Sequence, residues 1–211
     1  MASQKASGSD EKEERPVRTP QRRRGRERVA ALVEAAVAVF AEQGYEAATM
    51  TEIAARAGAS IGSLYQFFPT KEQLAAELHA RQLAGLAEML DALAAEARGR
   101  PLEAAVDRLF ARLVTFLEAH PAFVVLSERR NIDPQAKKRA RARLRGGIEA
   151  LLAGTVPPVP AARRPALAAL TLHMIRVAAL LEADDDTSLR GPAVAELKAM
   201  LRAHLVAAGD G

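Results

Sequence analysis

The chain has 211 residues, enough for one large domain or two small ones around a buried core. It holds no cysteine, which excludes disulfides and thiolate metal sites; its aromatic content of 4% beside abundant alanine, leucine, arginine and glutamate favours helices, and no alternating strand pattern occurs, so the expected class is all-α. The net charge of +4 is confined to residues 1–28, which carry nine Lys/Arg and five Asp/Glu, while the rest of the chain is neutral.

Residues 1–20 are rich in Ser, Glu and Lys, with Pro16 and Pro20, and have too little apolar surface to pack; a disordered tail is expected. QRRRGRER (21–28) is a basic run feeding into a helix, and a basic arm of this kind is either the footprint of a nucleic-acid partner or a solubilising tail. The helix that follows carries Val29, Leu32, Val33, Ala36, Val37 and Phe40 at three- and four-residue steps, and Gly44 reads as its C-cap. In ATMTEIAARAG, Thr49 lies three residues before Glu52, the spacing of a capping box; Gly58 ends a helix of about two turns. SIGSLYQFF then forms a second short helix with Ser60 as N-cap and Pro69 as its stop.

Thr70 and Gln73 start a fourth helix, expected from Lys71 to about Arg98, with Leu74, Leu78, Leu86, Met89, Leu90 and Leu93 inward and Gly85 as a place to bend. After Gly99 and Pro101, a helix carrying Leu102, Val106, Leu109, Leu113 and Phe116 runs to His120. A short helix lies within Pro121–Arg130, and longer ones span Pro134–Ala153, Ala161–Glu182 and Pro192–Ala208, the last two joined by the acidic turn ADDDTSLRG. The N-terminus has no apolar signal core and no uncharged run long enough to span a bilayer, so a cytoplasmic protein without a membrane partner is expected.

Two short helices joined by a tight turn opening on Gly58 fit a helix-turn-helix, whose second helix lies in the major groove. Leu64 and Phe68, four apart, should pack inward, leaving Ile61, Gly62, Tyr65 and Gln66 outward. Gly62 and Ser63 let the helix approach DNA. Gln66 can bond an adenine edge, Ile61 can touch a thymine methyl, and Tyr65 suits a phosphate. Lys71, at the start of the next helix, can meet phosphate as a point charge, and Thr49 offers a similar contact. Arg22, Arg23, Arg24 and Arg26 can reach a minor groove or track phosphates. On the pattern alone, Tyr65, Phe67 and Phe68 can equally be a core aromatic cluster.

FAEQGYEAATM, TEIAARAGAS and GSLYQFFPTKEQL stand in unbroken register, and the segment from about residue 28 to 78 resembles the DNA-binding domain of tetracycline-repressor (TetR) family regulators. The resemblance implies a three-helix DNA-binding domain, a larger helical effector and dimerisation bundle, and a homodimer that represses transcription from a double-stranded DNA operator. It divides the chain into a tail (1–20), a basic arm with the helix-turn-helix (21–70) and a ligand-binding and dimerisation domain (71–208). The family's DNA contacts fall on Thr49, Ser60, Ile61, Gly62, Ser63, Tyr65, Gln66 and Lys71. A lysine is common in the family where this chain has Ile61, so one charged contact is missing.

The resemblance also implies that the last two helices pair across a dimer. Their apolar stripes contain Leu167, Leu170, Met174 and Leu181 on one helix and Val194, Leu197, Leu201 and Leu205 on the other, which as a pattern fits a dimer interface or plain monomer core. A pocket for a small lipophilic effector is sought among Met89, Phe110, Leu113, Leu117, Phe123, Leu126, His173 and Met174, which as a pattern also fits plain core. Arg129 to Arg145 holds eight basic residues and one aspartate, either a solvated helix face or a site for an anionic ligand. Asp184–Asp186 reads as a solvated turn before it reads as a metal site. Histidines 79, 120, 173 and 204 follow no metal spacing, and there is no phosphate-binding loop or nucleophile elbow, so neither a cofactor, a metal nor catalysis is expected. Control without a small molecule, and activation in place of repression, remain open.

Overall fold

The computed structural model describes residues 20–129, 133–182 and 187–209, and these form helices with no strand among them. In chain order the helices are α1 (Pro20–Ala47), α2 (Met50–Arg56), α3 (Ile61–Phe67), α4 (Lys71–Glu96), α5 (Leu102–Ala119), α6 (Phe123–Ser127), α7 (Pro134–Gly154), α8 (Arg164–Glu182) and α9 (Thr187–Gly209).

Two apolar clusters organise the chain. The first joins α1, α2 and α3 to the start of α4: Leu32, Val39, Phe40, Ile53, Leu64, Phe68, Leu74 and Leu78 are all buried in it. The breaks between these helices follow from local chemistry. Gly44 interrupts helical geometry at φ 79°, and Gly58 turns the chain at φ 61°, values that a residue with a Cβ rarely adopts. Thr49 and Glu52 form the expected reciprocal capping box, with the Thr49 amide donating to Glu52 Oε2 at 3.0 Å and the Glu52 amide to Thr49 Oγ1 at 3.2 Å.

The second cluster holds the rest of α4 with α5, α7, α8 and α9. Its tightest seam is between α4 and α7, where Gly147 lets the helices close: a Cβ there would stand 3.0 Å from that of Leu90. The single helix α4 enters both clusters, through Leu74 and Leu78 at one end and Leu86, Leu90 and Leu93 further along. Short α6 bridges them as well, sending Leu126 to the first and Phe123 to the second.

Several expectations need correction. The basic run 21–28 is the first part of α1 itself and so is already helical. Helix α9 begins at Thr187, so Pro192 lies within it and Ser188 to Gly191 are helical. The two C-terminal stripes chosen for dimerisation largely face the monomer core: Leu167, Leu201 and Leu205 are buried, and Met174, Val194 and Leu197 pack against the same cluster. Only Leu170 is exposed and Leu181 half-buried. The outward apolar residues of these helices are instead Leu170, Val177 and Leu180 on α8 and Leu189 and Met200 on α9. By length and composition Arg164–Leu181 is apolar enough to cross a membrane, but here Leu167, Ala168, Ile175 and Ala178 bury one side of it in the bundle. The expected tail of residues 1–20, apart from Pro20, and the Asp184–Asp186 turn lie outside the described residues.

Candidate nucleic-acid interface and effector cavity

Helix α3 is short, so its orientation depends on anchors and a cap. Ser60 Oγ accepts from the Ser63 amide at 3.2 Å and closes the N-terminus. Leu64 is fully buried and Phe68 nearly so, which fixes the inner side. On the outside Ile61 is 39% exposed and Tyr65 48%, with Gly62 and Gln66 exposed beside them. Tyr65 and Phe67 are therefore not part of an aromatic core with Phe68. Ser63 is half-buried, and its Oγ is shielded without a hydrogen-bond partner. Phe67 is 38% exposed as well, but helical spacing puts it away from the Ile61–Gln66 side.

Two expected phosphate ligands are engaged within the protein. Lys71 Nζ donates to the carbonyls of Tyr45, Glu46 and Ala48 at 2.8, 3.0 and 2.9 Å, so all three of its protons cap the strained end of α1. It also stands 4.6 Å from the Tyr45 ring centre. The carbonyls that Gly44 releases from the helix ladder hold it, a set of partners the sequence reading did not foresee. The Thr49 hydroxyl donates to Glu52 Oε2 at 2.7 Å, so its proton also has an internal acceptor. In the basic run, Arg23 pairs with Glu27 at 3.2 Å, and Arg23, Arg24 and Arg26 are exposed on the first turns of α1; for Arg22 only the backbone is described.

If this run contacts phosphate, alanine at Arg22, Arg23 and Arg24 together flattens the salt dependence of duplex binding, by about 0.9 in the log–log slope for each phosphate lost. Affinity measured from low to moderate salt checks this; an unchanged slope places the arginines off the DNA.

A cavity of about 1070 Å³ lies between α4, α6, α7 and α8. Leu83, Leu86, Leu144, Leu172 and Ile175 supply apolar wall, while Arg129, Lys137, Arg141 and Arg176 give it a basic one. Of the eight residues expected to line a pocket, only Phe123 and His173 do. Phe110, Leu113 and Leu126 are buried in the two cores, and Met89, Leu117 and Met174 pack against the second; the stripe that contains them closes the bundle and does not face the opening. The basic run from Arg129 to Arg145 contributes much of the cavity wall, although exposed members such as Lys138, Arg139 and Arg143 keep solvent contact.

The sequence reading missed the junction between this cavity and the DNA-binding unit. Tyr45, just after Gly44, donates its hydroxyl to Glu72 Oε1 at 3.2 Å, and both Lys71 and Arg129 approach its ring, the latter 4.5 Å from the ring centre. Arg129 Nη2 also donates to the Glu72 carbonyl at 3.3 Å. Nearby His79 is buried, and burial, reinforced by Arg129 and Lys137, lowers its pKa to about 4. Its unfolded value of 6.5 is higher, so between those limits the unfolded chain binds more protons. Stability from neutral His79 is therefore complete above pH 6.5 and is lost as pH falls toward 4. Thermal melting of His79→Gln beside the parent checks this: the variant loses less stability across that window. Parallel curves would contradict the assignment.

A capped α2, a glycine turn and an α3 with one anchored and one bare side define a helix-turn-helix DNA-binding protein carrying an open cavity between the helices of a bundle. The model for bacterial regulatory proteins of the tetR family matches residues 32–78, and that for the tetracyclin repressor-like C-terminal domain matches residues 101–205. The chain belongs to the TetR family of transcriptional regulators.

No curated protein sequence matches it. Solved structures share the fold. A tetR-family transcriptional regulator from Streptomyces coelicolor is 24% identical, with 87% of this chain and 82% of that chain covered at a TM-score of 0.68. FadR from Bacillus subtilis, solved with stearoyl-CoA, is 15% identical, with 80% and 97% covered at 0.64. A transcriptional regulator from Pseudomonas aeruginosa PAO1 is 17% identical, with 92% and 95% covered at 0.66.

Proposed function

We propose that the protein is a cytoplasmic, ligand-responsive repressor that binds a palindromic operator as a homodimer and is released by a small lipophilic effector. The observation that carries the reading is the bare face of α3, where Ile61, Gly62, Tyr65 and Gln66 stand exposed opposite buried Leu64 and Phe68. In this reading Gln66 reads a base edge, Ile61 covers a thymine methyl and Tyr65 meets phosphate. Ser60 and Ser63 hold the helix start, and Thr49 and Lys71 act by positioning the unit.

Two copies joined along α8 and α9 give the operator its two-fold symmetry. The outward residues Leu170, Val177, Leu189 and Met200 are the apolar surface available for that contact, and Leu180 stands at the edge of the cavity. The cavity reaches α4, and α4 enters both clusters, so an effector that favours a different tilt of α4 changes the spacing of the two α3 helices.

Selection of bound duplexes from a random pool tests the reading, followed by transcription from a promoter carrying the enriched sequence. Enrichment of an inverted repeat and lowered transcription support it. An asymmetric site argues against the symmetric dimer, and raised transcription against repression.

A further inference from the structure

The cavity contains a feature that a purely lipophilic effector leaves unexplained. Arg129 is 7% exposed and lines the cavity, yet its Nε and Nη1 have no hydrogen-bond partner. His79, 8% exposed and on the same wall, has an Nε2 without a partner. Buried polar groups are nearly always satisfied, and a guanidinium with two shielded, unpaired donor atoms is costly. Arg129 has no carboxylate partner among its described contacts; it donates to one carbonyl and lies against Tyr45, whose ring and hydroxyl it approaches. Lys137 and Arg176 add positive charge to the wall, and the leucines and Ile175 make the rest of it apolar.

We infer that the effector is an anionic amphiphile whose carboxylate or phosphate oxygens accept from the Arg129 guanidinium and from His79, with its apolar chain along Leu83, Leu86, Leu172 and Ile175. The inference rests on the effector reading above and adds the chemistry of the ligand and the residue that detects it. Once drawn off the Glu72 carbonyl, Nη2 pairs with Nε–H or Nη1 as a planar fork that matches an oxyanion, whereas a neutral alcohol offers it one weak acceptor. The same guanidinium holds the Glu72 carbonyl at the start of α4 and faces Tyr45 at the end of α1. An anion that draws it into the cavity loosens both, and so acts where α4 meets the DNA-binding unit.

The test uses decanoate, decyl phosphate and decanol, titrated by calorimetry into the full-length protein. Both anions are expected to bind at least about tenfold more tightly than decanol, as charged hydrogen bonds would give. Arg129→Met brings the three within about threefold, whereas Arg112→Met, which removes an exposed charge paired with Glu96, keeps the preference. In the same series the anions release the selected duplex from the parent and fail to release it from Arg129→Met.

The His79 imidazole, followed by NMR in the unmodified protein, provides a reading that needs no variant. A neighbouring anion raises its protonation midpoint, and decanol does not. Equal binding of all three probes, or a His79 midpoint unmoved by bound decanoate, overturns the anionic assignment while leaving an apolar effector cavity in place. A preference for decanoate alone or for decyl phosphate alone, lost in Arg129→Met, retains the site and fixes the head group. If no probe binds although a duplex is selected, the inference fails and the DNA-binding reading stands. If no duplex is selected, the function proposed above fails separately.

Discussion

Gly62→Leu is expected to abolish specific duplex binding while leaving the protein slightly more stable. A Cβ at position 62 meets nothing within 4 Å, and the position is exposed and helical, so the fold has room for the side chain. Glycine within a helix costs about 0.5–1 kcal/mol relative to alanine, and much of that is recovered. On DNA the same side chain projects from the surface that must approach the bases. Holding α3 away removes contacts worth about 1–3 kcal/mol each, so a loss of roughly 100-fold or more is expected. Mobility shift on the selected duplex, paired with thermal melting, separates the outcomes. A raised melting temperature with lost binding is the predicted pair; unchanged binding means that this face does not meet the duplex.

The second large effect is expected at Lys71, and it falls on stability. Methionine there preserves most of the apolar stem but leaves the carbonyls of Tyr45, Glu46 and Ala48 without their shared donor. Charged hydrogen bonds contribute about 1.5–3 kcal/mol each, but water can reach part of this site, so a net cost of about 2–3 kcal/mol is expected. For a chain of this size that is a fall of roughly 5–10 °C in melting temperature. Were Lys71 a phosphate ligand instead, Lys71→Met would melt like the parent and lower the salt slope by about 0.9. The two measurements give opposite patterns, so either assignment can be rejected.

The contrast between positions 62 and 71 shows what was legible in the sequence. Features governed by local chemistry were: Gly44 and Gly58 mark the breaks because only glycine readily takes φ 79° and 61°, and the Thr49–Glu52 box follows from a three-residue spacing. The inward pair Leu64 and Phe68 follows from helical periodicity, and it leaves the opposite residues bare. The internal partners of Lys71 were not legible because they lie more than twenty residues away, behind Gly44, and no local pattern records them.

The C-terminal half was legible as helices but not as surfaces. In α8 and α9 apolar residues occur on both the inner and outer sides, so a stripe such as Leu197, Leu201 and Leu205 does not announce which side meets the core. Pro192 looked like a helix start because it suits a first turn, yet α9 carries it internally. Arg129 was hidden by its setting: it opens a basic run whose other described members are mostly solvated, and only its position directly after apolar α6 distinguishes it. The cavity depends on gaps between α4, α7 and α8, and no single helix encodes those.

The central claim is that the outer face of α3 lies in a major groove. Methylation interference on the selected duplex tests it most directly, because methyl groups at guanine N7 occupy the major groove and those at adenine N3 the minor groove. The account predicts that N7 methylation within each half-site blocks binding and that Gln66→Ala changes which bases matter there. Binding that tolerates N7 methylation throughout the site, or that is blocked only from the minor groove, would contradict it.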